Sequence, residues 1–217
     1  MIALVKTNLP KFPDSYIGEK AVEYNSLQWM ERNQKRTTLK TINFLSDNKL
    51  GVIDHNFEKD LPLYVLDLGC GTAFSSEVLI EAGFRVVGID ILDDMLSMAK
   101  EKKRLIKDHN LDFILADINH LPLKSNSFHF IISISAYNFI TSSKTSQRDK
   151  RKIVNNTAKS INKIIKKNGR IIIEFYPDND EELKLFIDSF NNNGFEGFMI
   201  KTNPKQNSGQ TFLLLKK

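Results

Sequence analysis

The chain has one cysteine, one tryptophan and four histidines among its 217 residues. With Cys70 alone, no internal disulfide forms and no structural zinc site built from several thiolates can be assembled. His55, His109, His120 and His129 are scattered without metal-ligand spacing, so no metal-dependent mechanism is expected. No segment approaches the roughly 18 consecutive apolar residues that a membrane span requires. The opening residues, MIALVKTNLPKFPDS, lack a long apolar region followed by a small-residue cleavage site. A cytoplasmic protein without membrane association is the expectation. Acidic residues are scarce in one place: 144 to 167, KTSQRDKRKIVNNTAKSINKIIKK, holds nine Lys or Arg against Asp149 alone. The overall charge of +5 and a sequence pI near 9.1 are compatible with a nucleic-acid partner without requiring one.

What is present is a core. With 41% hydrophobic residues the chain suits one domain spanning 1–217. Short runs rich in Val, Ile, Leu and Phe alternate with stretches of helical period, which predicts an α/β fold around a mostly parallel sheet. The candidate strands are YVLDL (64–68), RVVGI (85–89), DFILA (112–116), FHFIISIS (128–135), RIIIEFY (170–176), GFMIK (197–201) and TFLLLK (211–216). Helices are predicted from Ser75 to Ala82 before Gly83, from Asp93 to about Asp108, and from a capping-box-like start at Asp178 and Glu181 to about Asn192. The expected order is βαβαβαβαβαββ. The last two strands are too close for a crossover helix and should pair antiparallel. Residues 14–46 read as helical, with Ala21, Tyr24, Leu27, Leu39, Ile42 and Leu45 on recurring faces, and SDNKLGVIDHNFEKDLP reads as a polar loop. Residues 1–63 are thus an N-terminal cover and 64–217 the core.

The stretch VLDLGCGTAFSS (65–76) runs from a strand through two glycines into a helix. In such a turn glycines let the backbone approach a ligand, and free N–H groups at the helix start offer hydrogen bonds. A pyrophosphate loop would read G-x-G-x-x-G, but here Phe74 stands in the third glycine's place. Asp67, just before the turn, would repel a pyrophosphate and favour a ligand with a cationic amino group, as S-adenosylmethionine has. Asp90 ends the second strand, placed to accept hydrogen bonds from ribose hydroxyls, and Asp117 follows the third, placed to accept one from an adenine amine. Separately, each has a plain structural reading as a turn or cap; their joint register points to the ligand.

These motifs, DLGCGTA, GIDI and ADI, resemble those of class I S-adenosylmethionine-dependent methyltransferases over residues 64–217. The resemblance implies a Rossmann-like sheet of seven strands in the order 3-2-1-4-5-7-6, strand 7 antiparallel, with helices on both faces. It implies a cofactor site drawn from Tyr24, Asp67, Gly69, Cys70, Gly71, Asp90, Ile91, Asp117, Ile118 and Ser133. SFHFIISISAYNFI, GRIIIEFYPDNDEELKLF and NNGFEGFMIKTNP, with Tyr24, Gln34 and INFL (42–45), further resemble the small-subunit rRNA guanine-N7 methyltransferases. His129 and Phe139 stand where that family favours aspartate and tryptophan, and Thr202-Asn203 precede Pro204 without its usual tyrosine. Lys217 follows the last strand without the basic tail of eukaryotic members; with the other departures, this is expected of an archaeal or other prokaryotic homologue or of a relative diverged to another substrate.

Chemistry separates the acceptors. A pyrimidine carbon usually needs a cysteine nucleophile, and Cys70 sits inside the cofactor turn. An exocyclic amine usually calls for Asn or Asp before Pro-Pro and an aromatic, whereas this chain has Ser135-Ala136-Tyr137-Asn138. Guanine N7 carries a lone pair and no proton, so placement suffices and no general base is needed. No catalytic acid or base is assigned; Tyr137, Asn138, Phe139 and Tyr176 are the candidates for positioning a base. For Phe139 the competing reading is a core aromatic, and for Tyr176-Pro177 a strand end. Arg148, Lys150, Arg151 and Lys152, at or just before a helix start, are candidates for RNA phosphates; they compete with the solvated face of an amphipathic helix. The resemblance makes 112–116 an edge strand, where that family accepts a small zinc-binding activator protein by strand addition; cover by the chain itself is the alternative. Two other functions stay open, a methyltransferase for a small metabolite and a silent cofactor- or RNA-binding domain aiding ribosome assembly.

Overall fold

The computed structural model describes residues 11–106, 109–142, 144, 146–177, 179–202 and 209–217. Two helices, α1 (Glu19–Ser26) and α2 (Gln28–Leu45), precede the first strand. The core then runs β1 (Tyr64–Leu68), α3 (Phe74–Glu81), β2 (Arg85–Asp90), α4 (Asp93–Ile106) and β3 (Leu111–Leu115). It continues with β4 (Phe128–Ser133), α5 (Gln147–Ile164), β5 (Ile165–Glu174), α6 (Asp180–Asn192), β6 (Glu196–Lys201) and β7 (Thr211–Lys216). The strands form one sheet in the order β3-β2-β1-β4-β5-β7-β6, in which β7 runs antiparallel to both neighbours. This is the expected topology.

Alternation along the strands makes the two cores. Successive side chains of a strand face opposite sides of the sheet. Leu66, Leu68, Ile131, Ile171 and Ile173 therefore join α5 and α6 on one face. Val65, Phe130, Ile132, Ile172 and Leu214 join α2 and α3 on the other. Both faces are covered, as a parallel centre requires.

Three details differ from the pattern read in the sequence. No helix lies between β3 and β4, because residues 116–127 carry Pro122 and a run of polar turn residues and no sustained apolar helical period. The fourth and fifth strands are shifted: β4 ends at Ser133, and β5 begins at Ile165, directly after α5. The polar stretch before β1 is not merely a loop. Asp47 and Asp54 cap two short 3-10 turns, Asn48–Leu50 and His55–Asp60, which bury Leu50 and Phe57. Burying each such side chain contributes about 1.5–3 kcal/mol. The fully buried Arg170 pins this segment, donating from its guanidinium to the carbonyls of Leu45 and Gly51.

The cap of α6 is Asn179, whose side chain accepts from the Glu182 N–H at 2.9 Å. Asp178, the expected helix end at Asp108, and Asn203-Pro204 lie outside the described residues. Among the described residues no helix is long and apolar enough to cross a membrane.

Candidate functional site

The glycine turn after β1 is fixed from both sides. The N–H groups of Gly69 and Cys70 donate to the Ile89 carbonyl at 2.8 and 2.9 Å, tying the turn to β2. Gly69 has φ 72° and Gly71 φ 53°, a left-handed conformation that side chains resist. A Cβ added at Gly69 would stand 2.3 Å from the Ala136 Cβ, so the side chain of Ala136, after β4, fills the space where one at Gly69 would go.

Asp67 lies behind this turn. Its Oδ2 accepts from the Ser75 and Ser76 hydroxyls at 2.6 and 2.7 Å, which anchors the first turn of α3. It is 1% exposed, and its Oδ1 is buried without a partner among the described residues. Burial pushes its carboxyl up to about 6. The Cys70 thiol packs against Ala73, Leu96 and Ala99, and burial raises it well above the ordinary thiol value. Neither side chain lines the cavity beside the turn.

That cavity has a volume of about 690 Å³ and crosses the carboxyl ends of the parallel strands, where open α/β sheets take ligands. On the β2–β3 side its walls are Gly69, Gly71, Asp90, Ile91, Asp117 and Ile118. Asp90 accepts from the N–H groups of Gly71 and Leu92, both at 2.9 Å, and burial raises its carboxyl. Asp117 holds the Asn119 backbone and amide through one oxygen, at 2.8 Å each.

On the β4–β5 side the walls include Phe139, Tyr176 and Ser135, closed over by Phe12, Tyr16 and Tyr24 of the N-terminal cover. Phe12 stacks on Phe139 with ring centroids 5.0 Å apart, and Tyr16 meets Phe139 edge-on at 5.9 Å. Tyr24 is hydrogen-bonded to the Gln34 side chain, and burial raises its phenol. Among the described lining residues Asp90 and Asp117 are the only carboxylates, and none is histidine.

Several anticipated residues stand elsewhere. Tyr137 is fully buried, its ring 5.6 Å from Phe186 and 5.8 Å from Phe190, with no partner for its hydroxyl among the described residues. Asn138 clamps the Tyr176 backbone, accepting from its N–H at 3.1 Å and donating to its carbonyl. Ser133 is fully buried and donates to the Leu68 carbonyl at 2.8 Å, tying β4 to β1. Arg148, Arg151 and Lys152 are exposed and Lys150 is half-buried, all within the first turns of α5. None of the four lines the cavity, which Lys144 and Ile153 reach instead.

A carboxylate that the motif reading passed over organises the β4–β5 side. Glu174, 1% exposed at the end of β5, accepts from Ser135 Oγ at 2.6 Å, the Tyr176 hydroxyl at 2.5 Å and Gln210 Nε2 at 2.6 Å. Gln210 in turn receives Lys40 and reaches Thr37, both on α2. The signal was a lone acid inside the apolar run RIIIEFY.

Fold and cavity together define an α/β domain with an open site at the carboxyl ends of its parallel strands and two carboxylates, Asp90 and Asp117, in its described wall. The methyltransferase domain family matches residues 60–210. An 18S rRNA (guanine-N(7))-methyltransferase of Bos taurus is 32% identical over 157 residues, 72% of this chain and 54% of that protein. An 18S rRNA (guanine(1575)-N(7))-methyltransferase of Saccharomyces cerevisiae is 30% identical over 144 residues, 65% of this chain and 50% of that protein. The chain spans about half the length of the curated relatives it matches. In structure it is similar to phosphoethanolamine N-methyltransferase 2 of Haemonchus contortus in complex with S-adenosyl-L-methionine. That likeness has a TM-score of 0.67 at 13% identity and covers 94% of this chain and 58% of that one. The chain belongs to the methyltransferase domain family, and its fold is that of the S-adenosylmethionine-dependent enzymes.

Proposed function

We propose that this chain methylates N7 of a guanine in small-subunit rRNA. The observation that carries the reading is the state of Glu174. It is the carboxylate nearest Tyr176 in the hydrogen-bond pattern, and three donors occupy it, so it is no free base. Tyr176 is held neutral by burial and by the Glu174 charge. An aromatic wall without an available base suits an acceptor atom that has a lone pair and no proton to lose, as guanine N7 has. Rings such as Phe139 hold a splayed-out base by stacking. The names of the bovine and yeast relatives agree with this acceptor.

S-adenosylmethionine, when bound, supplies an electrophilic methyl group on a sulfonium. The residues of the β2–β3 side fit it: Gly69 and Gly71 line the cavity, Asp90 would accept from ribose hydroxyls, and Asp117 would accept from the adenine amine. Ile91 and Ile118, which line the cavity, would offer apolar surface to the adenine, Tyr24 would close the cavity from the cover, and Cys70, its side chain outside the cavity, would contribute its backbone alone. Tyr176 and Phe139 place the acceptor in line, a proximity effect. Arg148, Lys150, Arg151 and Lys152 hold RNA phosphates outside the cavity.

The partner reading has its own support. β3 is the edge of the sheet, no described strand pairs with its outer side, and Leu115 is 54% exposed. A small zinc-binding activator adding a strand there would cover it. A second acceptor, a small metabolite, is favoured by the cover of Phe12 and Tyr16 over Phe139.

The test is transfer of labelled methyl from S-adenosylmethionine to small ribosomal subunits, with and without the activator, mapped by N7-methylguanine-dependent strand cleavage. A mapped guanine is expected. Cofactor binding without incorporation into RNA would overturn the rRNA reading and leave the metabolite or a silent domain.

A further inference from the structure

The solvent face of α2 carries a second concavity, of about 410 Å³, lined by Trp29, Arg32, Asn33 and Arg36. The spacing of these residues puts them on one helix face. Trp29, the chain's single tryptophan, is 52% exposed. An exposed indole beside two guanidiniums offers a broad, rigid apolar face with cations at its rim. The two guanidiniums are uncompensated: among the described residues neither makes an ion pair or a side-chain hydrogen bond. The neighbouring acid does not neutralise them, since Glu31 is paired with Lys35 at 2.8 Å, and Lys35 also holds Glu77 of α3 at 2.7 Å.

We infer that this groove is a second nucleotide subsite, in which an unstacked base of single-stranded RNA lies on Trp29 while Arg32 and Arg36 contact the adjoining phosphates. The composition of the lining selects this occupant. A groove for an amphipathic helix needs aliphatic walls, and among the described lining residues the only apolar group is a flat ring flanked by two cations and an amide. Ring plus arginines is the chemistry that holds single strands without demanding a sequence. Asn33 adds a group able both to donate and to accept at a base edge. The groove and the cavity share a helix, since Met30, the next residue of α2 after Trp29, lines the cavity wall. The subsite would hold another nucleotide of the strand whose target base enters the cavity. It rests on the RNA reading of the function and extends it to a specific surface.

The single tryptophan makes a direct assay. Full-length protein is titrated with a mixed-sequence single-stranded oligoribonucleotide of about ten nucleotides, with Trp29 emission and the anisotropy of labelled RNA both recorded. Quenching of Trp29 is expected in parallel with binding. The Arg32→Ala/Arg36→Ala double variant should bind about tenfold more weakly, its salt slope shallower by about 1.4 for two lost phosphate contacts. Trp29→Ala should weaken binding similarly, and Trp29→Phe, which keeps a stacking face, much less. All four side chains are at the surface, so an unchanged thermal midpoint verifies folding. RNA binding with unaltered Trp29 emission, or with the double variant's affinity and slope unchanged, would overturn the subsite. So would emission that responds only to a protein partner. Methylation of RNA by the double variant at wild-type KM overturns the subsite alone. Quenching by RNA in a protein that methylates only a small metabolite leaves the subsite standing and removes the rRNA reading.

Discussion

The two sides of the cavity are built by different means. Toward β2 and β3, each wall residue comes from a strand end and the turn that follows it, and backbone conformation sets the shape: Gly69 and Gly71 in left-handed turns, Asp90 bonded to two backbone N–H groups. Toward β4 and β5, the wall is assembled from segments far apart in sequence. Phe12 meets Phe139, Asn138 holds Tyr176, and Glu174 gathers Ser135, Tyr176 and Gln210. One side is dictated locally and suits a ligand that never changes. The other depends on tertiary contacts, which is where a family can alter its acceptor while keeping its cofactor.

The difference can be broken most severely at the local side. Gly69→Ala places a methyl 2.3 Å from the Ala136 Cβ at φ 72°. It should abolish cofactor binding measured by calorimetry and lower stability by about 3 kcal/mol in urea denaturation. A variant that binds cofactor normally would show that the turn tolerates a side chain.

Asp67 sharpens the same side through pH. Its folded carboxyl stands at about 6 against an ordinary 3.8, so between those values the folded state binds more protons than the unfolded. Stability therefore falls as pH rises through this window, by about 3 kcal/mol in all. Denaturation of wild type against Asp67→Asn over the window checks this. The variant should lack Asp67's share of the slope and keep that of Asp90, which burial also raises.

On the tertiary side, Glu174→Gln puts an amide against the Tyr176 hydroxyl and Gln210 amide that Glu174 now accepts from. Acceptor turnover should drop about tenfold as the misdirected hydrogen bonds shift Tyr176. Tyr137→Phe should do least. It removes a buried hydroxyl that has no partner among the described residues, leaving kinetics unchanged and stability equal or higher by up to about 1 kcal/mol.

What could be read in the sequence follows the same division. Strand positions and the residues Gly69, Gly71, Asp90 and Asp117 are legible because apolar runs and strand-end turns are local signals, whereas the sheet order, a matter of long-range pairing, was legible only through the family resemblance. The acceptor wall was read less well. Tyr137 and Asn138 sit beside Phe139 in the chain, but a 3-10 turn over Tyr137–Thr141 sends the first into the core, engages the second with backbone and leaves only the third in the cavity. Phe12 and Tyr16 had no local signal at all. Their place depends on how the cover folds back over β4. Asp67 was placed next to the ligand by its position in the motif, whereas the hydroxyls of Ser75 and Ser76, one turn on, draw it behind the loop.

The claim that the two sides do separate work is tested most directly by measuring cofactor affinity and acceptor KM in parallel for Asp90→Ala and Phe139→Ala. Asp90→Ala should weaken cofactor about ten- to hundredfold, the worth of hydrogen bonds to a charged group. Phe139→Ala should raise acceptor KM about tenfold through lost stacking while cofactor affinity stays within about twofold. Equal loss of both affinities in both variants would contradict the division and mean that the cavity works as a single unit.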